Sequence, residues 1–190
     1  MDLLLPVGTP GGINSGSAEI PGSFGIVRLG NRLICIEANH YRLWLTAASA
    51  PRTSELIAWA VEEGMTDPET CLRDLEDAQL LVTDRPSLTS VADRLAIRLI
   101  GDLVGNGTTS SPHFFAVGRK NNKISLDQYF FDLLLRTDGV TPISSYFDSV
   151  DSIRQEHDQR NSIQALFDGI PLLLRAGVIR LDAAIERGAQ

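Results

Sequence analysis

Three histidines, two cysteines and a cluster of carboxylates are the residues of this chain best equipped for chemistry. His40, His113 and His157 stand far apart, and no His/Cys/Asp/Glu cluster has metal-ligand spacing. No metal site and no cofactor are expected. Cys35 and Cys71 lack metal or redox spacing and sit in apolar patterns, so both read as buried thiols in a reducing compartment. Glu69, Asp74, Glu76 and Asp77 are the residue types of an acid/base pair. Their spacing fits the solvated face of a helix better. The glycine-rich stretches Gly8–Gly16 and Gly101–Gly107 lack the Gly-Lys-Ser/Thr ending of a P-loop and any Gly-x-Gly-x-x-Gly turn. They read as connectors. There is no Gly-x-Ser-x-Gly elbow, and neither cysteine has a histidine partner that marks it as a nucleophile. The chain is not expected to be an enzyme.

With catalysis set aside, binding chemistry comes next. The densest basic segment is Arg119-Lys120-Asn121-Asn122-Lys123. Arg160, Asn161 and Gln164 on a late helix could contact phosphates or base edges. The charge balance opposes nucleic acid: residues 1–86 carry net −6 and residues 87–190 net −1. The first part has no lysine at all. A cationic or apolar partner suits it better than a phosphate backbone.

The elements that must carry these residues can be read in order. The stretch 8–25 is rich in Gly, Pro and Ser and reads as loop. Residues 26–29 and 33–37 flank Gly30-Asn31-Arg32 and read as a hairpin. A helix over about 38–47 places Tyr41, Trp44, Leu45 and Ala48 inward. Thr53 caps a second helix with Leu56, Ile57, Ala60 and Val61 inward. Gly64 ends it. Asp67-Pro68-Glu69 starts a third, with Cys71, Leu72, Leu75 and Ala78 inward. Leu80-Leu81-Val82-Thr83 leaves as a strand.

The plan then recurs. Residues 95–100 form a strand or helix, and a polar loop runs from Gly105 to Pro112. Phe114–Val117 and Ile124–Leu126 flank the basic turn. A helix over 128–137 carries Phe131, Leu134 and Leu135. Another opens at Thr141-Pro142 with Ile143, Tyr146, Phe147 and Val150 inward. A last one, from about 161, carries Ile163, Leu166, Phe167, Ile170, Leu173 and Leu174, with Gly169 and Pro171 interrupting it. Gly177 caps it, and Val178-Ile179-Arg180-Leu181 closes as a strand.

Residues 24–57 and 114–147 line up without a gap at an offset of 90, and Leu75–Leu81 matches Leu173–Ile179 at an offset of 98. The expected fold is therefore α+β: two tandem winged-helix-like domains from an internal duplication, residues 1–86 and 87–190. Hairpin, helices and final strand together resemble the PqqD-like recognition domains that bind leader peptides of ribosomally made natural products. That resemblance implies a bound peptide that adds a strand to the small sheet and packs against the third helix.

The expected function is non-catalytic: an adaptor or recognition protein for a peptide or protein partner. The hairpin edges Ile26–Leu29 and Phe114–Val117 are the expected docking strands. In the first domain Ile26, Leu29, Leu33, Leu72 and Leu75 would form the apolar site, with Glu69, Asp74 and Glu76 as its acidic rim. The alternative is a DNA-binding regulator using Arg119, Lys120, Lys123, Arg160, Asn161 and Gln164. A homodimer is compatible with either. No apolar run is long enough to span a bilayer, and the N-terminus lacks a basic leader, so no membrane partner and a cytoplasmic location are expected.

Overall fold

A computed structural model describes residues 4–15, 22–50, 52–83, 88–108, 111–148 and 156–185. Val150 and Arg154 lie outside the described residues. The chain divides into two compact units, Met1–Pro86 and Ser87–Gln190. Both mix helices with small antiparallel sheets, an α+β arrangement.

In the first unit the strands are β1 (Leu4–Pro6), β2 (Thr9–Asn14), β3 (Phe24–Leu29) and β4 (Arg32–Glu37). Helices α1 (Ala38–Ala47), α2 (Thr53–Glu62) and α3 (Pro68–Asp77) follow, then β5 (Leu81–Thr83). Gly30, at φ 59°, makes the two-residue turn that sets Leu29 against Arg32. Asp67 caps α3 by accepting the Thr70 N–H at 3.2 Å, with Pro68 at the first helical position. Arg52, not Thr53, is the N-cap of α2, and it makes no side-chain cap bond.

Two strands depart from the sequence reading. The glycine-rich segment expected as loop contains β2, which pairs with β3 through a bulge between Pro10 and Gly12. β1 pairs with β5, the first strand with the last. Trp44 joins that seam to α1: its indole N–H points between the carbonyls of Leu80, at 2.9 Å, and Val7, at 3.1 Å.

The second unit opens with α4 (Leu88–Arg94) and continues with β6 (Leu95–Leu99), β7 (Asp102–Thr108), β8 (Ser111–Val117) and β9 (Lys123–Leu126). A single 3-10 turn, Arg119–Asn121, links the last two. Helices α5 (Gln128–Arg136), α6 (Ser145–Asp148) and α7 (Glu156–Arg175) precede β10 (Ile179–Ala183). The polar loop expected after Gly105 is instead the pairing of β7 with β8. β6 pairs with β10, again the first strand of the unit with the last. α7 begins before Asn161 and runs unbroken through Gly169 and Pro171.

After α4 in the second unit, both units run strand, three-stranded meander, three helices, closing strand. Burial follows the same positions: Leu43 and Trp44 in α1 are buried, as are Leu133 and Leu134 in α5. Leu45 and Leu135, both expected inward, are 42% and 59% exposed. Each stands one residue beyond the buried pair, turned about 100° onward around the helix. Val61 is likewise exposed. The gapless offset needs one correction. Val27 pairs with Ile34, and Ala116 with Ile124. Both Val27 and Ala116 are fully buried. The second hairpin therefore holds one extra residue, absorbed in its longer turn, and β8 matches β3 at an offset of 89 rather than 90.

Asp138 fixes the turn between α5 and α6. Its carboxylate accepts the N–H groups of Val140 and Thr141, at 2.9 and 2.7 Å, and the hydroxyls of Thr141 and Tyr146. Partial burial raises its pKa, but the bonds from Thr141, Val140 and Tyr146 outweigh this and hold it at about 2. A carboxyl depressed in the folded state stabilises fully above its unfolded value and loses that contribution as pH falls through the folded one. Asp138→Asn should lower stability at neutral pH by about 1 kcal/mol. The gap between variant and wild type should close as the pH drops from about 4 to about 2, a trend urea unfolding at several pH values would read.

Candidate functional site

In the second unit an open sheet edge lies beside α7, its last helix. β9 is the end strand of the order β7-β8-β9, so one of its sides has no strand partner among the described residues. The Gly118 N–H donates to the Asn122 carbonyl at 2.8 Å, which fixes the phase of the ladder. Alternate pairs of an antiparallel ladder exchange hydrogen bonds. Ala116–Ile124 and Phe114–Leu126 are therefore bonded pairs, and the backbone groups of Lys123 and Ser125 point to the open side.

Side chains alternate in the same way. Ile124 and Leu126 take the face that carries the buried Ala116 and the half-buried Phe114, whose ring meets Phe131 at 4.6 Å. Lys123 and Ser125 take the opposite face, where the Lys123 ammonium lies 3.7 Å from the centre of the Phe115 ring.

Between β9 and α7 runs a groove of roughly 190 Å³, lined by Ile124 to Asp127, Phe130, Gly169, Leu172 and Leu173. Gly169 sets its depth, because a Cβ there would come within 3.1–3.2 Å of the Phe130 ring. Leu172 is 50% exposed on the far wall. Pro171 has no N–H to offer the Phe167 carbonyl one turn earlier. Asp127 holds the near end by capping α5, accepting the Phe130 N–H at 2.7 Å. The arrangement offers outward backbone donors and acceptors next to a small apolar trough. It contains no nucleophile–base pair.

The expected docking strands are not sheet edges. Ile26–Leu29 lies in β3 and Phe114–Val117 in β8, and both are central strands bonded on either side. Leu29, Leu72 and Leu75 are buried in the core of the first unit, because the inner faces of β3 and α3 pack into it. Leu33, 71% exposed, projects from the outer face of β4, and Ile26 lies half-buried on the same face of β3. Of the rim, Glu69 is exposed, Asp74 engages His40, and Glu76 accepts from the Thr83 hydroxyl. These eight residues do not form one surface. At the place matching the β9–α7 groove, the first unit has His40 Nε2 against Asp74 Oδ2 at 3.1 Å, where the second has Phe130 and Leu172.

The two thiols also divide. Cys71 is buried, and desolvation, followed by the charges of Asp74, Asp67 and Glu37, pushes its pKa up. Cys35, expected buried, is exposed because it falls on the outer face of β4.

Among the basic residues, Arg119 and Lys123 are exposed on and beside the turn. Gln164 donates to Asp168 at 2.9 Å. The side chains of Lys120, Arg160 and Asn161 lie outside the described residues. No group of three or more His, Cys, Asp or Glu among the described residues could hold a metal ion. No described helix is long and apolar enough to cross a membrane.

Sequence reasoning missed Phe130, Gly169 and Leu172. The signal for the last two was the i, i+3 spacing of Gly169 and Leu172 in the C-terminal half of α7. Fold and groove together define an α+β protein built on small antiparallel sheets with an open edge. No family model, curated protein or solved structure matches the chain.

Proposed function

We propose that this chain is a non-catalytic recognition protein that binds an extended peptide or protein segment by strand addition to β9. The observation that carries the reading is the open β9 edge beside the apolar groove of Ile124, Leu126, Phe130, Leu172 and Leu173. An added strand would satisfy the outward backbone groups of Lys123 and Ser125 and lay alternate side chains into the trough. The PqqD-like resemblance supports the same pairing of edge strand and third helix. We read the two units as winged-helix-like copies from an internal duplication, on the shared element order and the matching Leu45 and Leu135. A DNA backbone finds less to hold: the Lys123 ammonium sits on Phe115, and Gln164 is tied to a carboxylate.

Selection of a random peptide library on the full chain tests this. Enriched peptides should show apolar residues at alternate positions. Ser125→Pro should weaken them about tenfold or more, since it removes an outward N–H and crowds the edge. That substitution leaves the bonds to β8 in place, because proline is tolerated on the free side of an edge strand. Enriched peptides that bind the proline variant as well as wild type would refute the edge as the site.

A further inference from the structure

The open edge carries Lys123-Ile124-Ser125-Leu126-Asp127, which is complementary to itself read backwards. With Ser125 set against Ser125 of a reversed copy, Lys123 meets Asp127 at both ends and Ile124 meets Leu126. We propose that a second copy of this chain occupies the edge, the two β9 strands pairing antiparallel about a two-fold axis at Ser125.

Backbone phase agrees with that register. The residues it must bond are those whose groups point outward: Lys123, Ser125 and, next in the alternation, Asp127. The Asp127 carbonyl already accepts the Phe131 N–H at 3.1 Å. The outer bonds therefore run from the Asp127 N–H of each copy to the Lys123 carbonyl of the other, and the two Ser125 residues exchange the central pair. A register centred on Ile124 also uses outward groups, but it sets Lys123 against Ser125 and matches no charges. Directly opposed residues share a face, so the Lys–Asp pairs form on the side of Phe115. Ile124 and Leu126 of each copy fall on the groove side, next to the exposed Leu172. The contact is self-complementary, as a two-fold dimer requires. It rests on the open edge and not on the peptide reading; a peptide at the same edge would compete with it.

Sedimentation of the full chain tests the pairing. Wild type should show a reversible monomer–dimer equilibrium that weakens with added salt. Lys123→Glu sets two like-charged pairs opposite one another and should raise the dissociation constant about tenfold. Ser125→Pro should be monomeric while keeping its circular dichroism. Mixing Lys123→Glu with Asp127→Lys should restore association, since each contact again joins opposite charges. Wild type that stays monomeric at the highest attainable concentration overturns the inference, as does a dimer that neither Lys123→Glu nor Ser125→Pro weakens. A monomer that still selects edge-binding peptides removes the dimer and leaves the proposed function standing. A dimer broken by both variants, with no peptide selected, does the reverse.

Discussion

Trp44→Ala should destabilise the first unit by about 3–5 kcal/mol, the range for removing a large buried aromatic. Trp44 is 3% exposed and packs against Tyr41 with ring centroids 5.8 Å apart. Two costs add. The vacated volume lies between α1 and the β1–β5 seam, where a three-residue strand pair has little ability to close inward. The carbonyls of Val7 and Leu80 also lose the indole N–H that lies between them. Trp44→Phe separates the two, keeping most of the packing and losing only the hydrogen bond, for about 1–2 kcal/mol. Chemical denaturation of the three proteins gives the order wild type, Phe, Ala. An alanine variant within about 1 kcal/mol of wild type would contradict the buried placement.

The second large effect is expected at Gly118, where the chain leaves β8 for the basic turn. A Cβ there would collide with the backbone carbonyl of Ala176 and crowd Val178. Backbone cannot rotate away as a side-chain tip can, so Gly118→Ala should cost about 2–3 kcal/mol, the upper part of the range for overpacking. The strain acts on the pair Gly118–Asn122 that sets the ladder phase of β9, so peptide binding at the edge should weaken with stability. Gly105→Ala is the control. Its Cβ would meet Phe114 and Phe131 at 3.6–3.8 Å, ordinary contact, and the cost should stay within about 0.5 kcal/mol. Equal costs for the two variants would show that the Gly118 approach is not close.

Local signals made much of the fold legible. Asp67-Pro68 announced α3, Gly30-Asn31 the first turn, and the apolar stripe from Ile163 to Leu174 the body of α7. The outer strands were hidden for a physical reason. β1 is three residues long and exists by pairing with β5, far along the chain. β2 contains Pro10, Gly11 and Gly12, the composition of a loop, and is a strand because β3 supplies its bonds through a bulge. With β2 and β7 hidden in this way, β3 and β8 read as edges from sequence, whereas both are central strands of their sheets. The groove was harder still. Its walls, Ile124 with Leu126 and Gly169 with Leu172, come from elements separated by α5 and α6, and periodicity carries no information about which faces meet.

Backbone amide exchange along β9 tests the central claim most directly. It should be recorded at concentrations where the chain is monomeric, with and without a selected peptide. Ile124 and Leu126 bond to β8 in either state, so their exchange should change little. Lys123 and Ser125 face the open side, so theirs should slow when the peptide adds a strand. Alternating protection of that kind is the signature of strand addition at this edge. Protection confined to β4, β7 or the basic turn, or uniform across residues 123–126, would contradict it.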